Sequence, residues 1–317
     1  MTSIPLNPMP ATSLNPAASR SKKPRNFRFS PSLSGYLFIT PALMILGVFL
    51  GLPILYAIFL SFHKVEILGE MSYRFVHLRN FTRLADDGRV WIALKNTAEY
   101  VAIVVPIQTF IALMLALVLN AQIRGKNLFR VVFFLPTITS SAVLTLIFMW
   151  IYNADGLLNH FLEGFGLPTY NWLGDPNIAL KSIMIMNIWA SAPFFMVIYL
   201  AALQDIPESL YEAAKIDGAN GCDRFLNITL PLLKPVTFFI IVMGIIGTFQ
   251  LFDQSYIFSG GSGGPNNSTL TVVLLIYQYA FKSLEMGYAA ALALLLATAI
   301  VLATLVQRYL FKEDMPQ

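Results

Sequence analysis

Six stretches of this chain are too long and too apolar for ordinary core helices. They run roughly over 35–62, 93–120, 131–152, 182–203, 236–258 and 288–310. A helix of about 20 residues crosses the hydrocarbon of a bilayer, and apolar runs of about 18 residues or more read as spans. The expected fold class is therefore an all-α integral membrane protein with six transmembrane helices. The first two runs exceed the crossing length, so tilt or protrusion is expected. A further segment, "LTVVLLIYQYAF" at 270–281, is apolar but short. It reads as a partial or interfacial helix. Composition agrees: 12% of the 317 residues are charged, against about 25% in a soluble domain. At roughly 150 residues per domain the length alone would suggest two soluble domains; the apolar runs overrule that reading.

The formal net charge of +4 raises nucleic-acid binding as a class. The basic residues instead cluster beside the spans, as orientation signals do. Residues 1–34 are rich in Pro, Ser and Asn and then basic, with Arg20, Lys22, Lys23, Arg25 and Arg28; they read as a flexible cytoplasmic tail. A cleaved leader is the rival reading, but the run at 35–62 exceeds a leader's 7–15-residue apolar core and lacks a clear small-residue cleavage site. With the N-terminus inside, the inner segments 1–34, 121–130, 204–235 and the C-terminal end hold 13 Lys and Arg, against 6 on the outside. Both termini are thus expected in the cytoplasm. The first outer loop weakens the count, since it carries Lys64, Arg74, Arg79, Arg83 and Arg89.

One cysteine, Cys222, leaves no internal disulfide framework. The histidines His63, His77 and His160 lack ligand spacing, and no metal site is expected. No G-x-x-x-x-G-K-[ST] phosphate loop occurs; "RGKN" at 124–127 lacks its first glycine and its hydroxyl. The glycine-rich "SGGSGGP" at 259–265 reads as a flexible external turn. No nucleophile–base arrangement stands out, so the chain is not expected to be an enzyme.

The cytoplasmic segment 204–235 contains "EAAKIDGANGCDRFLNITLPLLKP" from 212 to 235. Pro207 suits a first helical turn. Glu208 and Glu212 stand near the positive end of that helix. Gly218 is a natural stop. A second short helix is expected through 221–229, with Pro231 and Pro235 punctuating the next span. Physics alone leaves two readings open: a tight interhelical loop, or a surface of small residues made to be gripped.

The same stretch resembles the EAA loop of importer permeases in the ABC transporter superfamily. It matches at Glu212, Ala213, Ala214, Gly218, Ile228, Leu230 and Pro231. The fuller string, with "LRNFTRL" at 78–84, "ALKNT" at 93–97, "RGKNLFRVVFFLP" at 124–136, "GGP" at 263–265 and "GYAAA" at 287–291, is similar to the sugar branch, the maltose-type permeases of the larger-subunit kind. The similarity covers about 35–312, which makes that the permease domain, with 313–317 as a C-terminal tail.

The resemblance implies a cytoplasmic coupling-helix hairpin that docks in a cleft of a separate ATPase, through Glu212, Ala213, Ala214, Asp217, Gly218, Ala219 and Phe225. It implies a bacterial plasma (inner) membrane location and three partners: a second homologous permease subunit forming a heterodimer, an ATPase subunit dimer, and an extracytoplasmic substrate-binding protein. No cofactor is implied for this chain; ATP and Mg are used by the ATPase. Transport would proceed by alternating access.

Polar groups inside spans are expensive and mark pathways. Asp253 is the clearest, in "TFQLFDQSYIF", with Gln250 and Gln254 at helical spacing for a shared face. Helix–helix adhesion is the other reading. Alignment with maltose-type permeases implies substrate-facing Thr137 and Ser141, then Ser191 and Phe194, then Phe249, Gln250 and Asp253. Several side chains depart from the maltose pattern, which leaves maltose itself in doubt and a sugar or related polyol in place. A gradient-driven transporter is the alternative class; it would need charge relays inside the spans.

Overall fold

The computed structural model describes residues 31–66, 72–121 and 126–311. The predicted N-terminal tail up to residue 30 and the predicted tail 313–317 lie outside them. The chain divides after Pro53 into two units.

The first unit holds α1 (Pro31–Leu46) and a widened π-helical turn at Gly47–Gly51, and α2 (Leu52–Ser61) starts at its end and belongs mostly to the second. Tyr36–Ser61 forms one span of 26 residues, about 39 Å at 1.5 Å per residue. Most of its large apolar side chains are exposed, with Phe38 at 87%, while Leu60 near its end is buried. A helix apolar on all sides is at home only in lipid or against a partner.

The second unit begins at Ile54. Strands β1 (His63–Glu66) and β2 (Ser72–Phe75) pair antiparallel, with Lys64 opposite Arg74. The order then runs α3 (Arg79–Asp86), α4 (Gly88–Asn120), α5 (Lys126–Ile138), α6 (Ser141–Ile151), α7 (Leu157–Gly164), α8 (Ala179–Gln204), α9 (Glu208–Ile216) and α10 (Gly221–Arg224). It ends with α11 (Leu230–Phe249), α12 (Asp253–Phe258), α13 (Val272–Tyr277) and α14 (Met286–Phe311).

Five helical runs among the described residues are long and apolar enough to span, and they match five of the six expected. The sixth, read from sequence as one span over 131–152, is instead two helices bent by 107° between Ile138 and Ser141. The cause is local. Pro136 supplies no N–H and crowds the carbonyl four residues back. Ser140 then turns extended (φ −56°, ψ 135°).

Prolines act differently at 231 and 235, which were expected to punctuate the start of the fifth span. The chain stays helical from Gly221 to Phe249. It widens at Phe225–Thr229, where the Leu230 N–H reaches the Phe225 carbonyl five residues back. Pro231 follows at once. The same order, wide turn then Leu then Pro, occurs at Gly47–Pro53. The extra residue in such a turn gives room for a ring that a regular helix would exclude.

The core forms where small residues let helices approach. Ala112, Ala116 and Leu119 of α4 pack on Met196, Tyr199 and Leu203 of α8 and on Leu233 and Ile240 of α11. The buried Tyr199 hydroxyl donates to Thr237 Oγ1 at 2.9 Å. A second cluster joins Val90 and Ala93 of α4 to Leu274 and Leu275 of α13 and to Tyr288, Ala291 and Leu292 of α14. The segment 270–281 is thus a short helix in the protein core, with Leu270, Val272, Leu274 and Leu275 fully buried. Thr97 Oγ1 accepts the Val272 N–H at 3.1 Å, and Asn96 Nδ2 donates to the carbonyls of Asn267 and Leu270.

The glycine-rich turn is ordered as well. Gly261 and Gly263 take left-handed φ of 77° and 80°. Gln278 Nε2 and Lys282 Nζ both donate to the Gly261 carbonyl, at 2.9 and 3.0 Å. Left-handed glycines fold this loop back onto α13 rather than leaving it loose.

Asp87 caps α4 and accepts from the Arg89 N–H at 2.9 Å, from the Tyr279 hydroxyl at 2.5 Å and from the Tyr288 hydroxyl at 2.9 Å. Burial opposes its charge, but these donors outweigh burial and hold the carboxyl below its ordinary range. Nearby, α14 rests on β1 so closely that a methyl group on Gly287 would lie 1.9 Å from the His63 carbonyl oxygen.

Candidate functional site

A polar cavity of about 260 Å³ opens where α4, α8 and the break after α11 meet. Tyr100 and Gln108 come from α4, Asn187 and Ser191 from α8, and Gln250, Asp253 and Gln254 from the broken segment. Two of these helices carry a proline at this level: Pro106 lies two residues before Gln108, and Pro193 two residues after Ser191. Each removes one backbone hydrogen bond from its helix.

The fifth span, expected as one helix, stops at Phe249 and restarts at Asp253. Helical spacing therefore does not relate Gln250 to Asp253. The break brings both to the cavity instead. It is held from behind: Thr271 Oγ1 donates to the Leu251 carbonyl at 2.8 Å, and the Ser255 hydroxyl donates to the Thr269 carbonyl. Non-helical backbone at membrane depth persists only where protein or a wet cavity satisfies it.

The lining groups hydrogen-bond with one another. Ser191 Oγ lies 2.6 Å from Gln108 Oε1 and 2.7 Å from the Asn187 carbonyl, so its single proton serves one at a time. Gln254 Nε2 donates to Ser141 Oγ at 2.9 Å and to Asn187 Oδ1 at 3.2 Å. Gly244 of α11 makes room, since a Cβ there would lie 2.8 Å from Gln108 Nε2. Asn187 Nδ2 is buried beside the Tyr100 hydroxyl, and it makes no hydrogen bond of good geometry among the described residues. Leaving such a donor unpaired costs about 1–3 kcal/mol. A hydroxyl or ether oxygen in the cavity would satisfy it.

Of the residues expected to face substrate, Ser191, Gln250 and Asp253 line the cavity. Ser141 reaches it through Gln254. Three lie elsewhere. Thr137 sits in α5, before the bend that separates it from Ser141, and its hydroxyl is buried without a partner among the described residues. Phe194 points outward, and its neighbour Phe195 lines the cavity, because one residue along a helix turns the side chain by about 100°. Phe249, at the last position of α11, packs on the cluster built by α4, α13 and α14. Sequence reasoning missed Tyr100, Gln108 and Asn187. Gln108 and Asn187 are neutral amides inside apolar runs, and the cost argument applied to Asp253 would have picked them out.

The expected coupling stretch is a compact helical turn. Pro207 stands just before α9, which ends at Ile216 with Asp217 as its cap. Gly218 turns left-handed at φ 84°. Asn220 then starts α10: its Oδ1 accepts the N–H groups of Cys222 and Asp223, and Asp223 Oδ2 accepts the Asn220 N–H. This reciprocal cap fixes the turn. The Tyr211 hydroxyl lies 2.9 Å from Thr229 Oγ1 and ties α9 to the wide turn before α11. Glu212, Ala213, Asp217 and Gly218 are exposed, and Ala214 and Ala219 partly so. Ile216 is 87% exposed. Phe225, expected at the docking surface, is half-buried and packs on the α4–α8–α11 cluster.

Comparison with known proteins places this arrangement. The chain is 38% identical over 285 residues to the lactose transport system permease protein of Rhizobium radiobacter, covering 89% of this chain and 95% of that one. It is 35% identical to the trehalose/maltose transport system permease protein of Thermococcus litoralis, over 86% of this chain and 91% of that one. Its fold is shared with a bacterial alginate ABC transporter solved in complex with an alginate pentasaccharide-bound periplasmic protein, at a TM-score of 0.74 and 20% identity, covering 89% of this chain and 95% of that one. Residues 108–313 match the description "Binding-protein-dependent transport system inner membrane component", and the chain belongs to that family of membrane permeases.

Proposed function

We propose that this permease carries an uncharged sugar or related polyol, as one subunit of an ATP-driven importer. The carrying observation is the cavity. Amides and hydroxyls line it, one buried amide donor lacks a well-placed acceptor, and no Lys or Arg is among the described lining residues. Asp253 is the one ionisable carboxylate there. Such a lining suits the many hydroxyls of a neutral sugar, and Phe252 and Phe195 offer apolar faces for its C–H groups. It is hostile to anionic cargo. The relatives named for lactose and trehalose/maltose support the same class. A gradient-driven mechanism has no support, since a lone carboxylate is no charge relay.

The rest of the machine follows the same reading. A second, homologous permease completes the pathway, and an extracytoplasmic binding protein delivers the sugar. An ATPase pair, using ATP and Mg, grips the 204–235 stretch from the cytoplasm, where both termini lie. Glu212, Ala213, Ala214, Asp217, Gly218 and Ala219 form the contact, and Phe225 supports it from beneath. Closure of the ATPase pair then moves α9 and switches access to the cavity.

The neutral-cargo reading has a direct check. In the complete reconstituted importer, uptake is measured for a neutral oligosaccharide and for its uronate-bearing analogue. Asp253→Asn should raise the ratio of acidic to neutral uptake roughly tenfold, the equivalent of about 1.4 kcal/mol. The binding protein is the same in both, so its own preference cancels. An unchanged ratio would remove Asp253 from cargo selection.

A further inference from the structure

The basic residues of the first outer loop run against the expected charge asymmetry, and the fold gives them another use. Lys64 of β1, Arg74 of β2, and Arg79 and Arg83 of α3 line one cavity of about 550 Å³. Glu285 is the sole acidic residue among its described lining residues. Lys64 and Arg74 stand directly opposite in the hairpin register. Like charges so placed destabilise a strand pair. A compensating anion would turn that cost into binding.

Internal pairing covers half of the charge. Lys64 Nζ contacts Glu66 at 2.9 Å, and Arg83 contacts Glu285 at 2.6 Å. Arg74 and Arg79 form no ion pair among the described residues. Among the described residues, four cations against two carboxylates leave a surplus of two positive charges.

The cavity is also built, not a fringe of loose side chains. Asn80 Nδ2 donates to the carbonyls of Ser61 and His63, at 2.8 and 3.2 Å, and fixes α3 to the start of the hairpin. The Arg83 guanidinium lies 4.1 Å over the Tyr288 ring. The cavity stands where α2 ends and α14 begins, which is the end of two spans. Tyr73 and Phe75, beside it on β2, are exposed aromatics. Basic and aromatic side chains together at a span end mark the headgroup layer.

We propose that this cavity binds a phosphate group, presented by an anionic phospholipid headgroup at the membrane surface. Arginine forks match phosphate oxygens in pairs, and the span-end position favours a lipid as the source. The inference is independent of the cargo and of the ATPase.

Thermal unfolding of the complete transporter in nanodiscs tests it, with phosphatidylglycerol added to phosphatidylcholine. Phosphatidylglycerol should raise Tm by roughly 3 °C. It should also be retained at least fivefold over phosphatidylcholine when bound lipids are counted by native mass spectrometry. Both effects should vanish in Arg74→Gln/Arg79→Gln, whose Tm in pure phosphatidylcholine should equal or slightly exceed that of the wild type, since Arg74 no longer opposes Lys64. A double variant that keeps the full phosphatidylglycerol response would overturn the proposal. Equal stabilisation by inorganic phosphate in detergent would overturn the lipid as its source. Protection that comes only from the binding protein would make the cavity a protein-docking surface and would overturn it too.

Discussion

Gly218→Asp should reduce ATP-driven uptake at least tenfold while the protein still folds and inserts. Gly218 sits at φ 84°, a conformation that costs an L-residue roughly 1–2 kcal/mol. A Cβ there meets nothing within 4 Å, so no neighbour clashes and no core is disturbed. The strain is relieved by changing the turn between α9 and α10, which sets how Ala213, Ala214 and Ala219 present the proposed ATPase contact. The aspartate also adds a charge beside Asp217, at the middle of the proposed contact. ATP hydrolysis by the assembled complex should then lose its response to the loaded binding protein. Gly221→Ala is the matched control. Gly221 lies three residues away, has no positive φ and also has open space at its Cβ position. It should transport at the wild-type rate, and the same loss at both positions would show general fragility of the loop.

Gln108→Leu should raise the KM for uptake at least tenfold, with expression and thermal stability close to wild type. Gln108 is 2% exposed, holds Ser191 Oγ at 2.6 Å and lines the cavity. Leucine fills a similar space but offers neither a donor nor an acceptor. Removing one partner from a buried polar network costs about 1–3 kcal/mol, and 1.4 kcal/mol is a factor of ten. Ser191 keeps the Asn187 carbonyl as acceptor, so the fold tolerates the change better than the ligand does. Thr109→Val, at the next residue, is the control. Thr109 Oγ1 is buried without a partner among the described residues, and it does not line the cavity. Its KM should not move. A Gln108→Leu protein with unchanged KM would take this cavity out of the transport path.

The membrane class and five of the spans were legible in the sequence because hydrophobic length depends on composition alone. What the sequence hid was backbone irregularity. The 107° bend at 138–141 and the break at 250–252 lie inside apolar runs that satisfy every hydropathy criterion. They arise from Pro136 with Ser140, and from Thr271 taking the Leu251 carbonyl. That carbonyl contact joins residues 20 apart and leaves no trace in local pattern.

The same contrast divides the site. Asp253 stood out by charge, and Ser191 and Gln250 by alignment. Gln108 and Asn187 were passed over because an uncharged amide barely lowers a window's hydropathy. Phe194 and Phe249 lie outside this cavity for a geometric reason: a motif match fixes the position along a helix, but a turn of about 100° per residue decides what the side chain touches. The coupling stretch was read more fully, since its helix-starting Pro207 and its glycine stop at Gly218 are local signals. Phe225, at the start of the widened turn, is half-buried against the chain's own core, a tertiary contact that local signals do not carry.

The central claim is that this chain opens a path for sugar and takes its energy from another polypeptide. The most direct measurement is sugar uptake into proteoliposomes containing this chain, its partner permease and the binding protein, with and without the ATPase and internal ATP. Uptake should require both, and an imposed proton or sodium gradient should not replace them. Accumulation driven by a gradient in the absence of the ATPase would contradict the claim.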